Sequence, residues 1–262
     1  MAPRCVYTDL DGTLLGSGAS LFRDGEGNFT LLPARALEAC HRAGVEVVIK
    51  SGRRKAQVME DARLIGQTAY IYEVGSGMVI EGEETFLTGE LLPTAEKSVH
   101  DLIADMGAAE LLLSRFELEH HSPWHRDRQV SHLFRGRVDV RKANELLASE
   151  GLGRLRLVDN GAIPGELHAY HLVPAEVSKA NAVAAHMRAR GYARQDCLAV
   201  GDSREDLDVA AVVGRFFLVA NALERDSGLH EAAGAFGNVE LTEAGHGEGF
   251  YEAVIRSLAE AR

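Results

Sequence analysis

The sequence predicts an α/β fold in which a parallel sheet carries helices on both faces and is interrupted by an inserted α+β domain. At both ends of the chain, short apolar segments typical of strands alternate with segments whose apolar residues recur at helical spacing. The middle of the chain is more polar and loses this rhythm. Because strands that alternate with helices build parallel sheets, we expect the two ends to form one core and the middle to form a separate domain.

The individual segments follow from their apolar runs and their stop signals. In the first part of the core we expect strands at 5–8, 45–49 and 69–74 and helices at 33–43 and 53–64. In the middle we expect helices at 93–106 and 139–150 and strands at 129–135, 154–158 and 166–171. The rhythm then returns, with helices at 178–190, 204–211 and 247–261 and strands at 197–200 and 216–219. We therefore assign the core to residues 1–82 and 172–262 and the inserted domain to residues 83–171.

Composition limits the classes of function. The 262 residues are 46% hydrophobic and 26% charged, which is typical of a globular protein with a sizeable core. The net charge of −11 argues against non-specific binding to nucleic acid or to an anionic membrane surface. The three cysteines have no metal-binding spacing, and no apolar run is long enough for a signal peptide or a membrane span. We expect a cytoplasmic protein with reduced thiols.

Two acids directly follow the first strand, in the run Asp9-Leu10-Asp11-Gly12-Thr13. Residues two apart on an extended chain point the same way, about 6.6 Å apart, so both carboxylates can face one substrate. An aspartate can attack phosphorus, and a second one can exchange protons with the leaving oxygen and with water. The alternative is an ordinary turn and helix cap.

Three later regions carry polar groups that suit a phosphate or a metal ion. Ser51 follows an apolar strand, where it can hold a phosphate oxygen or simply cap a helix. Lys179 begins a helix, where its charge opposes the helix dipole and favours an anionic partner, unless it is a solvated surface lysine. The acids of the run 201–206 suit Mg²⁺, which prefers oxygen ligands, although they also fit a capped helix with a solvated face.

In order and content these four regions resemble the motifs of the haloacid dehalogenase-like hydrolases. Residues 6–15 resemble the first motif almost residue for residue, and Ser51, Lys179 and Asp202 with Asp206 resemble the other three. The resemblance implies a Rossmann-like core. The position of the insert, between the third strand and the lysine, resembles the type IIB or Cof-like branch, which includes sucrose-phosphate and mannosyl-3-phosphoglycerate phosphatases.

The resemblance also implies a role for each motif residue. Asp9 is implied as the nucleophile and a ligand of Mg²⁺, and Asp11 as the general acid and base that also binds the metal. Ser51, Gly52 and Lys179 are implied to bind the phosphoryl group. The remaining metal ligands implied are Asp202 and Asp206, the latter bound directly or through another group.

Two departures weaken any transfer of a relative's substrate to this chain. Residues 73–76 read Glu-Val-Gly-Ser where relatives often have Glu-Asn-Gly-Ala, and Glu205 stands where relatives often have asparagine. Neither departure removes a proposed catalytic group.

The inserted domain contains a cluster of histidines and arginines between 120 and 137. Arginine forks suit carboxylates and phosphates, so we expect this cap to contact the leaving group of the substrate. The candidate residues are His121, Arg126, Arg128 and Arg135. The alternative is a solvated loop and strand face, and irregular histidine spacing disfavours a second metal site.

The expected function is a Mg²⁺-dependent phosphatase acting on a small phosphorylated metabolite, either a sugar phosphate or a phosphoglycerate-type compound. A phosphomutase on the same scaffold and a non-catalytic metabolite-binding module remain alternatives. Release of phosphate from a generic substrate without a bisphosphate activator distinguishes the phosphatase from the mutase.

Overall fold

The computed structural model describes residues 3–163, 165 and 167–260. These residues form a core around an eight-stranded sheet and a cap around a four-stranded antiparallel sheet. The predicted α/β core with an inserted α+β domain is confirmed. No helix in these ranges is both long and apolar enough to cross a bilayer.

The first part of the core contains five strands and two helices. They are β1 (Cys5–Thr8), α1 (Leu32–Arg42), β2 (Glu46–Lys50), α2 (Lys55–Leu64), β3 (Ala69–Tyr72), β4 (Gly77–Ile80) and β5 (Glu83–Phe86). The cap follows with α3 (Val99–Asp105), α4 (Ala108–Arg115), β6 (Leu118–His120), β7 (His132–Gly136), α5 (Val140–Ser149), β8 (Leu155–Ile163) and β9 (Leu167–Pro174). The chain then returns to the core with α6 (Lys179–Arg190), β10 (Cys197–Gly201), α7 (Arg204–Leu207), β11 (Arg215–Leu218), α8 (Asn221–Arg225), α9 (Leu229–Ala233), β12 (Val239–Leu241) and α10 (His246–Ala259).

The core sheet places β1 at its centre. The strand order is β12-β11-β10-β1-β2-β3-β4-β5, and β4 and β5 are antiparallel to the parallel remainder. Alternate residues of β1 enter two apolar layers: Cys5 and Tyr7 pack on the side of α6, and Val6 packs on the side of α1 and α10. Burial of both faces explains why the strands read as nearly continuous apolar runs.

Sheet pairing divides core from cap a few residues later than we expected. β5 pairs with β4 and so belongs to the core sheet, while β9 remains in the cap sheet as far as Pro174. Two ends of our expected segments, Glu166 and Ala261, lie outside the described residues.

Several elements of the cap differ from the expectation for local reasons. The expected helix at 93–106 begins only after Ser98, whose hydroxyl accepts the Asp101 N–H while the Asp101 carboxylate accepts the Ser98 N–H. A left-handed Gly107 then separates it from α4, which the sequence did not reveal. Strand β7 begins at His132 because the preceding residues bind the core instead of a neighbouring strand.

One buried carboxylate joins the cap to the core. Glu73 follows β3, is fully buried, and accepts N–H bonds from Gln129, Val130 and Ser131 at 2.9, 3.2 and 2.7 Å. The Ser131 hydroxyl adds a fourth bond at 2.8 Å. The Glu73 N–H binds the Arg53 carbonyl at 3.0 Å, so the same residue connects the cap to the loop after β2.

Replacing Glu73 by alanine would leave three cap N–H groups without this acceptor, and those of Val130 and Ser131 are buried. We expect Glu73→Ala to lower the free energy of unfolding by about 3 kcal/mol, measured by urea denaturation. The control is Glu119→Ala, which removes an exposed ion pair with Arg135 and is expected to cost less than about 1 kcal/mol. Equal losses for the two variants would contradict this role of Glu73.

Candidate active site

The four motif regions meet at one edge of the core sheet. Asp9 follows β1, Ser51 follows β2 and Asp202 follows β10, and β1 lies between the other two strands. Lys179 is the first residue of α6. Carboxyl ends of parallel strands gather at one edge of an open sheet, which is where such folds bind ligands.

The contacts of Lys179 show whether it has an anionic partner or is a solvated surface lysine. It is 1% exposed, and its ammonium donates to Asp9 Oδ1 at 3.0 Å and to Asp206 Oδ1 at 2.8 Å. Burial lowers the pKa of Lys179, but Asp206 and Asp9 outweigh burial and raise the pKa above its ordinary value. Lys179 is therefore a buried cation between two acids and not a solvated surface residue.

Ser51 and Gly52 line the cavity beside Asp9. Helix α2 begins later, at Lys55, and has no side-chain cap, so Ser51 is not the N-cap of that helix. A Cβ on Gly52 would lie 2.5 Å from Asn160 Nδ2 of the cap, so a larger residue here would require the Asn160 side chain to move. The loop thus presents its backbone to the cavity while the cap approaches it closely.

Asp11 is more exposed than Asp9 and is held by an arginine. Arg53 donates from Nη2 and Nε to the two oxygens of Asp11 at 2.6 and 2.8 Å, and from Nη1 to Asp61 at 2.9 Å. This bidentate pair fixes the Asp11 carboxylate at the cavity wall. Sequence reasoning missed Arg53, although its place directly after Ser51-Gly52 was a signal.

Three buried acids provide an oxygen-only site for a cation. One carboxylate oxygen from each of Asp9, Asp202 and Asp206 lies within 4.8 Å of the others. Burial, with repulsion from Asp206, raises the pKa of Asp9 to about 6, although Lys179 opposes the shift. Burial, with repulsion from Asp9 and Asp206, raises the pKa of Asp202 to about 7. Acids that repel one another in a dry site fit a hard divalent ion such as Mg²⁺.

Asp202 is oriented by two further side chains. Thr13 Oγ1 donates to its Oδ1 at 3.1 Å, and Arg225 Nη1 donates to its Oδ2 at 2.7 Å. Gly12 has a positive φ of 87°, and a Cβ there would lie 2.2 Å from Asp202 Oδ2. The turn after β1 therefore needs glycine both for its backbone angle and for its contact with Asp202. No sequence signal pointed to Arg225.

The acids after β10 are buried, which excludes the reading of a solvated acidic face. Asp202, Glu205 and Asp206 are 7%, 6% and 0% exposed. Ser203 does cap α7, because its hydroxyl accepts the Asp206 N–H at 3.2 Å. Capping and the acid cluster therefore coexist in this loop.

Lys50 is a second buried lysine at this site, and sequence reasoning assigned it no role. Its ammonium lies 2.5 Å from Asp206 Oδ1 and 3.2 Å from the Val200 carbonyl. Burial lowers the pKa of Lys50, and Asp206 opposes that shift. Although burial raises the pKa of Asp206, Lys179 and Lys50 hold it well below the ordinary value. A lysine that ends an otherwise apolar strand was the available signal.

A cavity of about 760 Å³ lies between these groups and the cap. The cap residues on its wall include His121, Trp124, Asn160, His168 and His171. Burial lowers the pKa of His171 well below its ordinary value, and burial with nearby arginines lowers that of His121. The cap therefore lines the cavity with these polar and aromatic groups and with the charged side chains of Arg128 and Asp159.

The structure separates the four cap residues that the sequence suggested. His121 and Arg128 line the cavity. Arg128 is nearly buried, and its guanidinium donates to the Gly52 carbonyl at 3.1 Å. Arg126 is exposed and Arg135 pairs with Glu119 at 2.7 Å; neither belongs to the described cavity wall.

Comparison with known proteins gives one family model and a set of relatives. The model for haloacid dehalogenase-like hydrolases matches residues 160–227. A phosphoglycolate phosphatase of Archaeoglobus fulgidus is 29% identical over 255 residues, which cover 96% of each chain. A phosphoglycolate phosphatase of Methanoculleus marisnigri is 27% identical over 260 residues, covering 96% of this chain and 95% of that one.

Solved structures show the same fold over nearly the whole length. The sucrose-phosphatase of Synechocystis sp. PCC6803, solved with sucrose and phosphate, matches with a TM-score of 0.71 at 17% identity and covers 98% of both chains. A protein of Thermoplasma acidophilum matches with a TM-score of 0.70 at 16% identity, covering 98% of this chain and 99% of that one.

The position of the cap, between β5 and α6, agrees with the Cof-like resemblance of the sequence. Residues 160–227 are thus similar to the haloacid dehalogenase-like hydrolases, the family that the four motifs resemble, and the whole chain shares its fold with the sucrose-phosphatase.

Proposed function

We propose that the chain is a Mg²⁺-dependent phosphatase that hydrolyses a small phosphorylated metabolite through an aspartyl phosphate on Asp9. The observation that carries the proposal is the convergence of three distant residues: Asp9 and Asp202 line one cavity, and Lys179 donates a hydrogen bond to Asp9 from behind the cavity wall. The relatives named phosphoglycolate phosphatase, which align over 96% of this chain, support it.

In the first step, an oxygen of Asp9 attacks phosphorus and the bond from phosphorus to the leaving oxygen breaks. Asp11, which binds a proton by giving up one of its two hydrogen bonds to Arg53, donates that proton to the leaving oxygen as the alcohol departs. Lys179 uses two of its three N–H groups on Asp9 and Asp206, so the third is free for a phosphoryl oxygen.

In the second step, Asp11 takes a proton from water as the water oxygen attacks the aspartyl phosphate. The bond from phosphorus to Asp9 breaks, orthophosphate forms, and both acids return to their starting states. Ser51 and the backbone of Gly52 hold phosphoryl oxygens during both steps, as their place on the cavity wall allows.

Asp9 and Asp202 would hold Mg²⁺, with Asp11 contributing its backbone carbonyl. When bound, the ion supplies positive charge that offsets the charge of the phosphoryl oxygens and of the clustered acids. This use suits the donor set, because Asp9 and Asp202 are buried and repel each other.

The cavity supports a substrate with a polar leaving group of moderate size. About 760 Å³ lies within the usual range for small-molecule sites and exceeds what a two-carbon acid fills. Trp124 and the neutral cap groups suit the hydroxyl groups and faces of a sugar, whereas Arg128 suits a carboxylate. Sugar phosphates and phosphoglycerate-type compounds are therefore the classes to assay, and we place the activity in the cytoplasm, where the three buried free cysteines stay reduced.

The first prediction concerns the nucleophile. Asp9→Asn should abolish trapping of a phosphoenzyme and lower kcat by at least about a thousandfold, since an amide cannot attack phosphorus. Acid-quenched protein incubated with a labelled substrate measures both. Asp105→Asn, at an exposed position in the cap, is the control and should behave as wild type. A full phosphoenzyme signal from Asp9→Asn would refute the role of Asp9.

The second prediction concerns pH. The pKa values of Asp9 and Asp202, raised to about 6 and about 7, mean that both acids carry protons in mildly acidic solution without a metal. Mg²⁺ binding must release these protons, so its affinity should rise between about pH 5.5 and about pH 8. Titration calorimetry in buffers of different ionisation enthalpy measures the affinity and the proton release. An affinity independent of pH would contradict the clustered-acid site.

The third prediction concerns the cap. His121→Ala should raise KM or change the ranking of substrates while leaving kcat within about threefold, because His121 touches the leaving-group side of the cavity. Arg135→Ala is the matched control, since Arg135 pairs with Glu119 away from the cavity wall. Kinetics on phosphoglycolate and on a sugar phosphate provide the comparison. Unchanged KM and ranking for His121→Ala would exclude recognition by this residue.

A further inference from the structure

Lys50 occupies an unusual place for a charged side chain. It is the last residue of β2, directly before Ser51, and its side chain has no exposed surface. An ammonium in such a place is costly unless it is paired and hydrogen-bonded. Its pair is Asp206, which belongs to the acid cluster and not to the strand on which Lys50 lies.

The two lysines and one serine occupy both oxygens of Asp206. Oδ1 accepts from Lys50 at 2.5 Å and from Lys179 at 2.8 Å, and Oδ2 accepts from Ser203 Oγ at 2.6 Å. By contrast, the carboxylate oxygens of Asp202 accept from one hydroxyl and one guanidinium, and the carboxylate of Asp9 accepts from Lys179 alone among the described residues. Asp206 is thus the acid of the cluster with the most complete set of partners.

We propose that Lys50 is a positioning residue that neutralises Asp206, so that this carboxylate anchors Lys179 and is withheld from direct coordination of the divalent ion. The inference rests on the proposed function, because it divides the roles of the same cluster. Asp9 and Asp202 remain as the carboxylates for the ion. Lys50 also adds positive charge on the side of the site where Ser51 and Gly52 would hold the phosphoryl group.

This arrangement predicts opposite effects on two ligands. Removing the charge of Lys50 makes the buried site one unit more negative and leaves Asp206 with a single cation. A divalent cation should then bind more tightly and a phosphate dianion more weakly. A residue with a purely structural role would weaken the binding of both ligands when it is removed.

The test uses the full chain with Lys50→Met, which keeps the length of the side chain and removes its charge. Titration calorimetry on metal-free protein gives the affinity for Mg²⁺, and titration at saturating Mg²⁺ gives the affinity for orthophosphate. We expect Mg²⁺ to bind about tenfold more tightly and orthophosphate about tenfold more weakly than in wild type. Should the methionine variant fail to fold, Lys50→Gln is measured instead, with the same expected directions.

Two controls connect the effect to Asp206. Val48→Ala alters the same buried strand without a charge and should lower stability without opposite shifts in the two affinities. In an Asp206→Asn background, Lys50→Met should tighten Mg²⁺ binding clearly less than it does in the native background, because the lost charge then acts without a freed carboxylate.

The outcomes separate this inference from the proposed function. If wild type binds neither Mg²⁺ nor orthophosphate, the proposed function fails. If wild type binds both, and Lys50→Met weakens or leaves unchanged the binding of Mg²⁺, the inference about Lys50 is overturned and the proposed function stands.

Discussion

The balance between three buried acids and two buried lysines is the interaction on which the rest of the site depends. Asp9, Asp202 and Asp206 lie at one point with Lys50 and Lys179, and all five are nearly or fully buried. Burying one charge alone costs several kcal/mol, so the two lysines depend on the acids with which they pair, and Asp202 depends on Arg225. Their mutual pairing makes the site rigid, and its remaining excess of acid suits a divalent cation and, with it, a phosphate.

The fold makes this balance possible by placing strand ends side by side. β1, β2 and β10 are neighbours, and each ends in residues that reach the cluster. The cap then closes the site from the other side, and Glu73 connects the two units by four hydrogen bonds that run from cap donors to one carboxylate. Glu73 also donates its backbone N–H to the loop after β2. It therefore couples the position of the cap to the position of the loop that would bind phosphate.

Much of the core and its motif residues could be predicted from the sequence. The prediction needs only local patterns, because most site residues were recognised by their place directly after an apolar strand. Asp9, Ser51 and Asp202 each follow an apolar strand, and the sheet brings them together as expected. Lys179 stood out in the sequence because a lysine at the start of a helix opposes the helix dipole. The structure explains this placement, since the ammonium is buried between Asp9 and Asp206.

Other features depend on tertiary contacts that no local pattern reveals. In the sequence, Lys50 is only the polar last residue of an apolar strand. Its partner Asp206 lies 156 positions later in the chain, so the contact is visible only in the folded structure. Arg128 and Arg135 look alike in sequence, yet the pairing of β6 with β7 sets Arg135 opposite Glu119, whereas Arg128 turns toward Gly52. The late start of β7 follows from the docking of residues 129–131 on Glu73, which is a long-range contact.

The most direct test of the account is a crystal structure of the protein with Mg²⁺ and a tetrahedral or trigonal phosphate mimic such as vanadate. The account predicts one mimic bonded to or touching Asp9, within hydrogen-bond reach of Lys179 and Ser51, with the metal ion on Asp9 and Asp202. A mimic bound elsewhere, or a metal ion that avoids Asp202, would contradict it.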